Sequence, residues 1–192
     1  MQRKTDSQNA DAITGVRHFI NNIFTKLYLE LTLLKRSRRT DQKLIDRILL
    51  QSRCINAYFR LITEYSRNNY PPPDYTPTDF TAVASELAAV LSVLPVEYDM
   101  PDRFARRRYT GDTQRLYLLV ETYILTALVS GTAVKVKCSF QVLPQMIRLQ
   151  VTGLHGSVPA FLDNCLEVYR VANPVEVTKV AGKYLRFTFK SG

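Results

Sequence analysis

The chain has 192 residues, of which 46% are hydrophobic, and its formal net charge is +9 at pH 7. No run reaches the roughly 18 to 20 consecutive apolar residues of a membrane span, and the polar start of the chain has no apolar signal core, so we expect a cytoplasmic protein. The positive charge favours an acidic partner, but it does not choose among nucleic acid, an anionic membrane and an acidic protein surface.

Residues 1–10 are polar and are predicted to be disordered, whereas residues 11–69 are predicted to form a helical hairpin. Apolar residues first recur at alternating steps of three and four, which indicates one long helix: Ile13, Val16, Ile20, Ile23, Leu27, Leu31 and Leu34. After a basic polar break, a second stripe has similar spacing: Ile45, Ile48, Ser52, Ile55, Phe59 and Ile62. An isolated hairpin would leave much of these two seams exposed, so we expect a homodimer in which two hairpins form a four-helix bundle.

Residues 70–77 are predicted to be a linker to a second domain at 78–192, because its consecutive prolines cannot continue a helix. Beyond the linker, helices alternate with short strands. The helices are predicted at 78–94, 112–129 and 159–171, and the strands at 96–100, 133–140, 146–151, 175–180 and 184–189. The predicted fold class is therefore α+β, a long antiparallel helical hairpin followed by a two-layer α/β sandwich.

The cysteines and the second histidine do not indicate a metal site. Cys54, Cys138 and Cys165 are odd in number and lack CxxC spacing, which is typical of small buried hydrophobic residues in a reducing compartment. His155 lies in a glycine-flanked loop without a second ligand at suitable spacing. We expect neither a metal nor another cofactor.

His18 is the main candidate for chemistry. At 100° per residue it lies about 200° from Val16 around the first helix, so it is predicted to point away from the apolar seam, with Asn22 and Thr25 on the same exposed stripe. An exposed imidazole with polar neighbours one and two turns later can accept a phosphoryl group as a nucleophile. Helix geometry alone favours a surface histidine without a chemical role.

Several segments resemble, in order and spacing, the core of bacterial histidine kinases. Residues 17–24, Arg-His-Phe-Ile-Asn-Asn-Ile-Phe, resemble the H-D-x-N-N-L-L phosphoacceptor motif of one kinase subfamily. The end of the second helix, Leu-Ile-Thr-Glu-Tyr-Ser-Arg at residues 61–67, is similar to the family's closing L-L-x-F-S-R. Residues 75–80, 94–99 and 111–116 resemble successive segments of the family's ATP-binding domain. The resemblance, which spans about residues 11–190, implies that His18 is the phosphoacceptor position.

The departures from the family concern ATP. The family's nucleotide-site helix carries two asparagines four residues apart, the second binding magnesium, and the resemblance places Thr122 and Thr126 there. The family's D-x-G-x-G adenine loop is replaced at residues 151–157 by Val-Thr-Gly-Leu-His-Gly-Ser, and a second glycine-rich phosphate loop is absent. Phe19 replaces the acidic residue that acts as general base in autophosphorylation. We therefore expect a degenerate ATPase-like domain that binds no ATP, and no ATP-dependent kinase activity.

Further residues are candidates for binding a partner. The chain has two basic runs, one formed by Arg106, Arg107 and Arg108 and the other by the turn around Arg38. Each can be a solvated run of charges, or it can dock an acidic protein or bind a phosphate backbone. Phe19, beside the histidine, and Thr25, on the same stripe, can contact a bound protein.

Three functions remain open from the sequence. The first is a histidine phosphotransferase-like signalling protein that binds a response-regulator receiver domain and relays phosphate through His18, assisted by Asn22, because the acidic pocket of a receiver suits a basic docking face. The second is a non-catalytic pseudokinase scaffold that binds a regulator. The third, a basic nucleic-acid-binding protein, has the least support, because the aromatic residues fall mainly at core positions and no nucleic-acid-binding pattern is present.

Overall fold

The structure, a computed structural model, describes residues 2–36, 41–66, 76–101, 104, 107–131, 135–154, 158–180 and 182–190, with the backbone alone for residues 2–13 and Ser66. Most of the predicted linker at 70–77 lies outside these residues, as do Arg38, Arg106 and His155. None of the described helices contains a segment long and apolar enough to cross a bilayer.

The first two helices, α1 (Gln2–Arg36) and α2 (Gln42–Ser66), form the predicted antiparallel hairpin. The prediction that residues 1–10 are disordered is wrong for residues 2–10, because α1 already begins at Gln2. Once a helix exists, each residue added to it gains a backbone hydrogen bond for a small entropic cost. A polar segment of ordinary helix propensity therefore extends the helix even though it lacks an apolar stripe.

The rest of the described chain forms the predicted α/β sandwich. Its helices are α3 (Phe80–Leu91), α4 (Thr113–Val129) and α5 (Ala160–Ala172). Its strands are β1 (Thr78–Asp79), β2 (Val96–Asp99), β3 (Arg108–Tyr109), β4 (Val136–Leu143), β5 (Met146–Thr152), β6 (Val175–Val180) and β7 (Tyr184–Lys190). The main sheet has the order β2-β4-β5-β7-β6, in which β2 is parallel to β4 and the other described pairs are antiparallel. Strands β1 and β3 pair with each other and were not predicted, because two residues are too few to show a period.

Side-chain caps determine where α3 and α4 begin. The carboxylate of Asp79 accepts a hydrogen bond from the Thr81 backbone N–H at 2.7 Å. Hydrogen bonds from the side chain and the backbone of Thr81 lower the pKa of Asp79. The carboxylate of Asp112 similarly accepts from the Arg115 N–H at 2.9 Å. Each cap satisfies one backbone donor of the first turn. The helix predicted from residue 78 therefore starts at Phe80.

The buried core continues from the sheet through the sandwich helices into the hairpin. Helix α2 packs on α4, and α1 packs on α5. The buried side of α2, which contacts α1 as well as α4, has its own spacing of three, four and seven. It differs from most of the predicted stripe and consists of Leu44, Gln51, Cys54, Tyr58 and Leu61. This face was not predicted because Gln51 and Tyr58 interrupt the apolar pattern. Part of the hairpin is thus covered within the chain itself.

The three cysteines are free and buried, which confirms their interpretation as core residues. Burial raises the pKa of Cys54 and that of Cys138 to about 12, so both thiols stay protonated at neutral pH. The described part of the chain contains no group of three or more His, Cys, Asp or Glu side chains that could hold a metal ion.

Candidate functional site

His18 lies on the exposed side of α1. Its side chain and those of Asn22 and Thr25 are exposed, whereas Val16 and Ile20 are buried. This arrangement agrees with the orientation that the helical period predicts. The Thr25 hydroxyl donates to the backbone oxygen of Asn21 at 3.0 Å, an ordinary bond to the preceding turn. The side chain of Asn22 is an exposed polar group one turn from the imidazole.

Two exposed leucines extend the same side of α1. Leu29 and Leu33 are 56% and 58% exposed, and both lie within about 60° of His18 around the helix axis. His18, Asn22, Thr25, Leu29 and Leu33 together are called the His18 stripe below. The two leucines were not predicted as site residues because they lie outside the apolar seam. The sequence pattern that could have indicated an apolar contact surface here is the spacing of the two leucines, four residues apart and beside polar positions.

Phe19 turns away from the His18 stripe and packs against the second helix. Its ring centroid lies 5.1 Å from that of Tyr58, and its side chain is half-buried. The ring therefore holds α1 against α2 directly next to the histidine. Contact of Phe19 with a partner stays a prediction, and only its remaining exposed edge is available for that contact.

Tyr58 connects the hairpin to α4 at the positions that resemble the family's two asparagines. Thr122 and Thr126 are fully buried there. The Thr126 hydroxyl donates to the backbone oxygen of Thr122 at 2.6 Å, so the Tyr58 hydroxyl, 3.0 Å away, is the donor to Thr126. Burial raises the pKa of Tyr58 and keeps this donor protonated. The face of α4 with the two threonines thus packs under α2.

The space between α4 and the β6–β7 hairpin is almost filled. The cavity that remains beside Thr126, lined also by Tyr123, Leu154 and Lys179, measures about 20 Å³. That volume is close to the space occupied by one water molecule. The Tyr123 hydroxyl donates to Asp163 at 2.6 Å, and the Lys179 ammonium pairs with the same carboxylate.

Gly153, in the loop after β5, has a structural reason to be glycine. Its φ is +80°, and a Cβ atom there would lie 2.0 Å from the backbone oxygen of Lys135. Only glycine tolerates both the conformation and this approach. Gly153, in the segment that replaces the family's adenine loop, therefore allows this loop to pack closely against the chain before β4.

Arg115 holds the end of α2 against the start of α4. Its side chain is buried, and its Nε lies 3.4 Å from a carboxylate oxygen of Asp112. Its Nη2 lies 3.8 Å from a carboxylate oxygen of Glu64, and its guanidinium lies over the ring of Tyr65, 5.4 Å from the centroid. A buried guanidinium needs such partners to offset its desolvation. The hairpin is thus attached to α4 both at Tyr58 and at Arg115.

The arginines predicted to bind a partner differ in their surroundings. The Arg107 guanidinium donates to the backbone oxygens of Leu143, Pro144 and Met146 at 2.7 to 2.9 Å, so it stabilises the turn between β4 and β5. Arg108 is exposed on β3. Binding of a partner by these arginines stays a prediction. Arg107 would have to bind the partner through guanidinium N–H groups that are not bonded to the turn.

Comparisons with known proteins identify the fold. No family model matches the chain, and no curated protein matches it. The crystal structure of histidine kinase ThkA in complex with response regulator protein TrrA is similar at 13% identity and a TM-score of 0.57, over 100% of this chain and 64% of that one. The chain therefore spans about two thirds of the length of that kinase chain.

Two further solved structures also match. Histidine kinase AdeS of Acinetobacter baumannii is 18% identical over 91% of this chain and 97% of its own, with a TM-score of 0.45. The histidine kinase domain of the E. coli osmosensor EnvZ is 14% identical over 65% and 91%, with a TM-score of 0.42. The protein has a histidine kinase-like fold, a helical hairpin followed by an ATPase-like domain.

Proposed function

We propose that this chain, which has the fold of a histidine kinase core, is a two-component signalling protein of the histidine phosphotransferase type. It binds the receiver domain of a response regulator and relays a phosphoryl group through His18 without binding ATP. The proposal is supported by the contrast between two sites. His18 is exposed with Asn22 beside it, whereas Thr122 and Thr126 are buried and the Thr126 hydroxyl is hydrogen-bonded to Tyr58.

The proposed transfer needs no base next to the histidine. A neutral imidazole has a lone pair on one ring nitrogen, so it can attack the phosphorus of an aspartyl phosphate directly. The N–P bond forms as the P–O bond to the aspartate breaks, and the carboxylate leaves as an anion. The amide of Asn22 can donate a hydrogen bond to the phosphoryl oxygens as charge develops on them. Phe19 is therefore compatible with this reaction.

The His18 stripe has the composition of a docking surface for such a receiver. Leu29 and Leu33 offer exposed apolar area below the histidine, and the side chains of Arg17 and Lys26 on the same helix are exposed. The cations suit an acidic receiver pocket and speed association with it. One histidine kinase with a similar fold is known in complex with a response regulator, which supports this class of partner.

A scaffold that binds a regulator without phosphotransfer is the second candidate. The observation in its favour is Phe19, which lacks a carboxylate and packs on Tyr58. Both candidates need the His18 stripe for binding, but only the first needs the imidazole.

Dimerisation through the hairpin is expected to depend on its exposed apolar residues. Leu31 and Phe59, which belong to the two predicted stripes, are still 47% and 52% exposed in the single chain. Leu31→Glu or Phe59→Glu is expected to convert a dimer into a monomer, because each would bury a carboxylate in the bundle. Light scattering at micromolar concentration measures the change.

The matched control is Val171→Glu on α5, an equally drastic change at an exposed site outside the hairpin. Ile20 and Ile55 are less suitable targets, since both are already buried within one chain. A wild-type protein that is monomeric under these conditions would contradict the dimer.

The absence of ATP binding is a second expected result. Calorimetry with Mg-ATP at millimolar concentration should give no saturable heat, because both threonines are buried, Tyr58 is bonded to Thr126, and the cavity beside Thr126 is about 20 Å³. Thr126→Asn should not restore binding, since the added amide still lies under the hairpin. A dissociation constant below about 100 μM, which is roughly 5.5 kcal/mol of affinity, would contradict the proposal.

A further inference from the structure

The face of the main sheet that points away from the helices is not covered by any described element. Its residues alternate along β4, β5 and β7 with core residues such as Leu149 and Phe187. Most are exposed or half-exposed: Lys137, Ser139, Gln141, Arg148, Gln150, Thr152, Tyr184, Arg186 and Lys190. Thr188, opposite Arg148 on the same face, is buried. Antiparallel sheets often have one solvated face, so its polarity alone indicates no partner. Its distribution of charge is more informative.

Carboxylates on this face occur on the edge strands, and each has its own cation. The ion pairs join Lys135 to Glu97 at 2.5 Å, Lys137 to Asp99 at 3.0 Å and Lys190 to Glu176 at 2.7 Å. Two cations on the adjacent strands β5 and β7 do not belong to these ion pairs, namely Arg148 and Arg186. Neither forms an ion pair with a described carboxylate. The centre of the sheet face therefore has two uncompensated positive charges.

Neutral side chains hold these two guanidinium groups. Arg186 donates from Nε to Gln150 at 3.0 Å, and its guanidinium carbon lies 4.6 Å from the centroid of the Tyr184 ring. Arg148 donates from Nη1 to Gln141 at 3.5 Å, and its Nε is buried without a hydrogen-bond partner. Since Gln150 is opposite Arg186 in the sheet, the two arginines are diagonal neighbours about 7–8 Å apart. Each guanidinium group is thus held in place by neutral side chains, and each has N–H groups that these hydrogen bonds do not use.

Less polar residues lie at both ends of this pair. Met146 is half-exposed at one end of β5, and Tyr184 is half-exposed opposite the other end. We call Met146, Arg148, Gln150, Tyr184 and Arg186 the sheet strip. It is about 20 Å long, because each strand residue advances about 3.3 Å. The sheet strip is thus cationic in the middle and more apolar at its ends.

We propose that the sheet strip docks an acidic amphipathic helix of a protein partner. A helix is about 10–12 Å wide and covers two or three strands, and about 14 residues of it span 20 Å. Carboxylates in its middle would receive hydrogen bonds from Arg148 and Arg186, and apolar residues near its ends would contact Met146 and the edge of the Tyr184 ring. This surface lies on the opposite side of the sheet from the helices and the hairpin, so it is separate from the His18 stripe.

Single-stranded nucleic acid fits the sheet strip less well. Its aromatic residue, Tyr184, is already covered by Arg186, so the strip offers no open ring on which bases could stack. The carboxylates of Glu97, Asp99 and Glu176 at the sheet edges would repel a polyanion that crosses the strands. A single helix with local negative charge avoids both costs.

The test uses a labelled synthetic peptide and the full-length protein. The peptide is a helix of about 14 residues with two glutamates four apart in its centre and leucines near its ends. A matched peptide has glutamines instead. Fluorescence anisotropy should show saturable binding of the acidic peptide alone. Arg148→Gln or Arg186→Gln should weaken binding about tenfold or more, since each removes a charge-assisted hydrogen bond. Lys43→Gln, an equal loss of charge on α2, should leave the affinity unchanged.

Several outcomes would overturn the proposal. They are no saturable binding by the wild-type protein, equal affinity of both peptides, or an unchanged affinity in the two arginine variants when thermal unfolding shows that they are folded. Binding of a labelled oligothymidylate in preference to the peptide, with loss in the same variants, would assign the surface to nucleic acid instead. His18→Ala should bind the peptide normally, so failure of the phosphotransfer proposal would leave this result unaffected.

Discussion

His18→Ala is expected to abolish the transfer of label between a phosphorylated receiver domain and this protein. The imidazole nitrogen is the only atom in the proposed reaction that forms the bond to phosphorus, and alanine offers no substitute. The fold should survive, because an exposed side chain of this kind contributes within about 0.5 kcal/mol to stability. Transfer of radioactive phosphate measures the first effect, and thermal unfolding with light scattering measures the second.

Two neighbouring variants make this experiment more specific. Asn22→Ala should slow transfer about tenfold or more, because it removes a donor to the phosphoryl oxygens. Thr25→Ala is the matched control, since the Thr25 hydroxyl already donates to the Asn21 backbone. Transfer rates are compared at saturating receiver concentration, so that changes in receiver affinity caused by these stripe residues do not affect them. Label transfer that persists in His18→Ala would exclude His18 as the phosphoacceptor, and a wild-type protein that binds a receiver without transfer would favour the scaffold.

Tyr58→Ala is expected to lower the free energy of unfolding by about 3–5 kcal/mol, the usual cost of deleting a fully buried aromatic ring. The ring packs on Phe19, and its hydroxyl donates to Thr126, so the substitution leaves a cavity between the hairpin and α4. Tyr58→Phe should cost only about 1 kcal/mol, because it removes the hydrogen bond but keeps the ring. Urea unfolding should show a lower midpoint with little change in slope.

The control for this series is Tyr28→Ala, which removes an exposed tyrosine from α1 and should change stability by less than about 0.5 kcal/mol. Equal effects of the Tyr58 and Tyr28 substitutions would mean that α2 does not pack on α4 in solution. The face of α4 with Thr122 and Thr126 would then be open, and only the identity of these two residues would oppose ATP binding.

Local periodicity was sufficient to predict the hairpin, most of the sandwich elements and the exposure of His18. The seam residues Val16, Ile20 and Ile23 are buried, and His18 is exposed, because both properties follow from 3.6 residues per turn along one helix. The strands β6 and β7 and their turn were likewise visible as alternation around Gly182, whose φ is +68°. These features depend on residues that are neighbours in the chain.

Only the tertiary structure decided what covers the hairpin and what the polar core residues do. Tyr58 contacts Thr126, Arg115 contacts Glu64, and Arg107 binds the β4–β5 turn, in each case across more than 30 residues of sequence. The pair formed by Arg148 and Arg186 also arises from strand register rather than from a motif. A periodic pattern records which side of an element is apolar, but it does not record which distant element packs there. Those contacts depend on how the helices and strands assemble, because packing and hydrogen-bond satisfaction are settled between elements rather than within them.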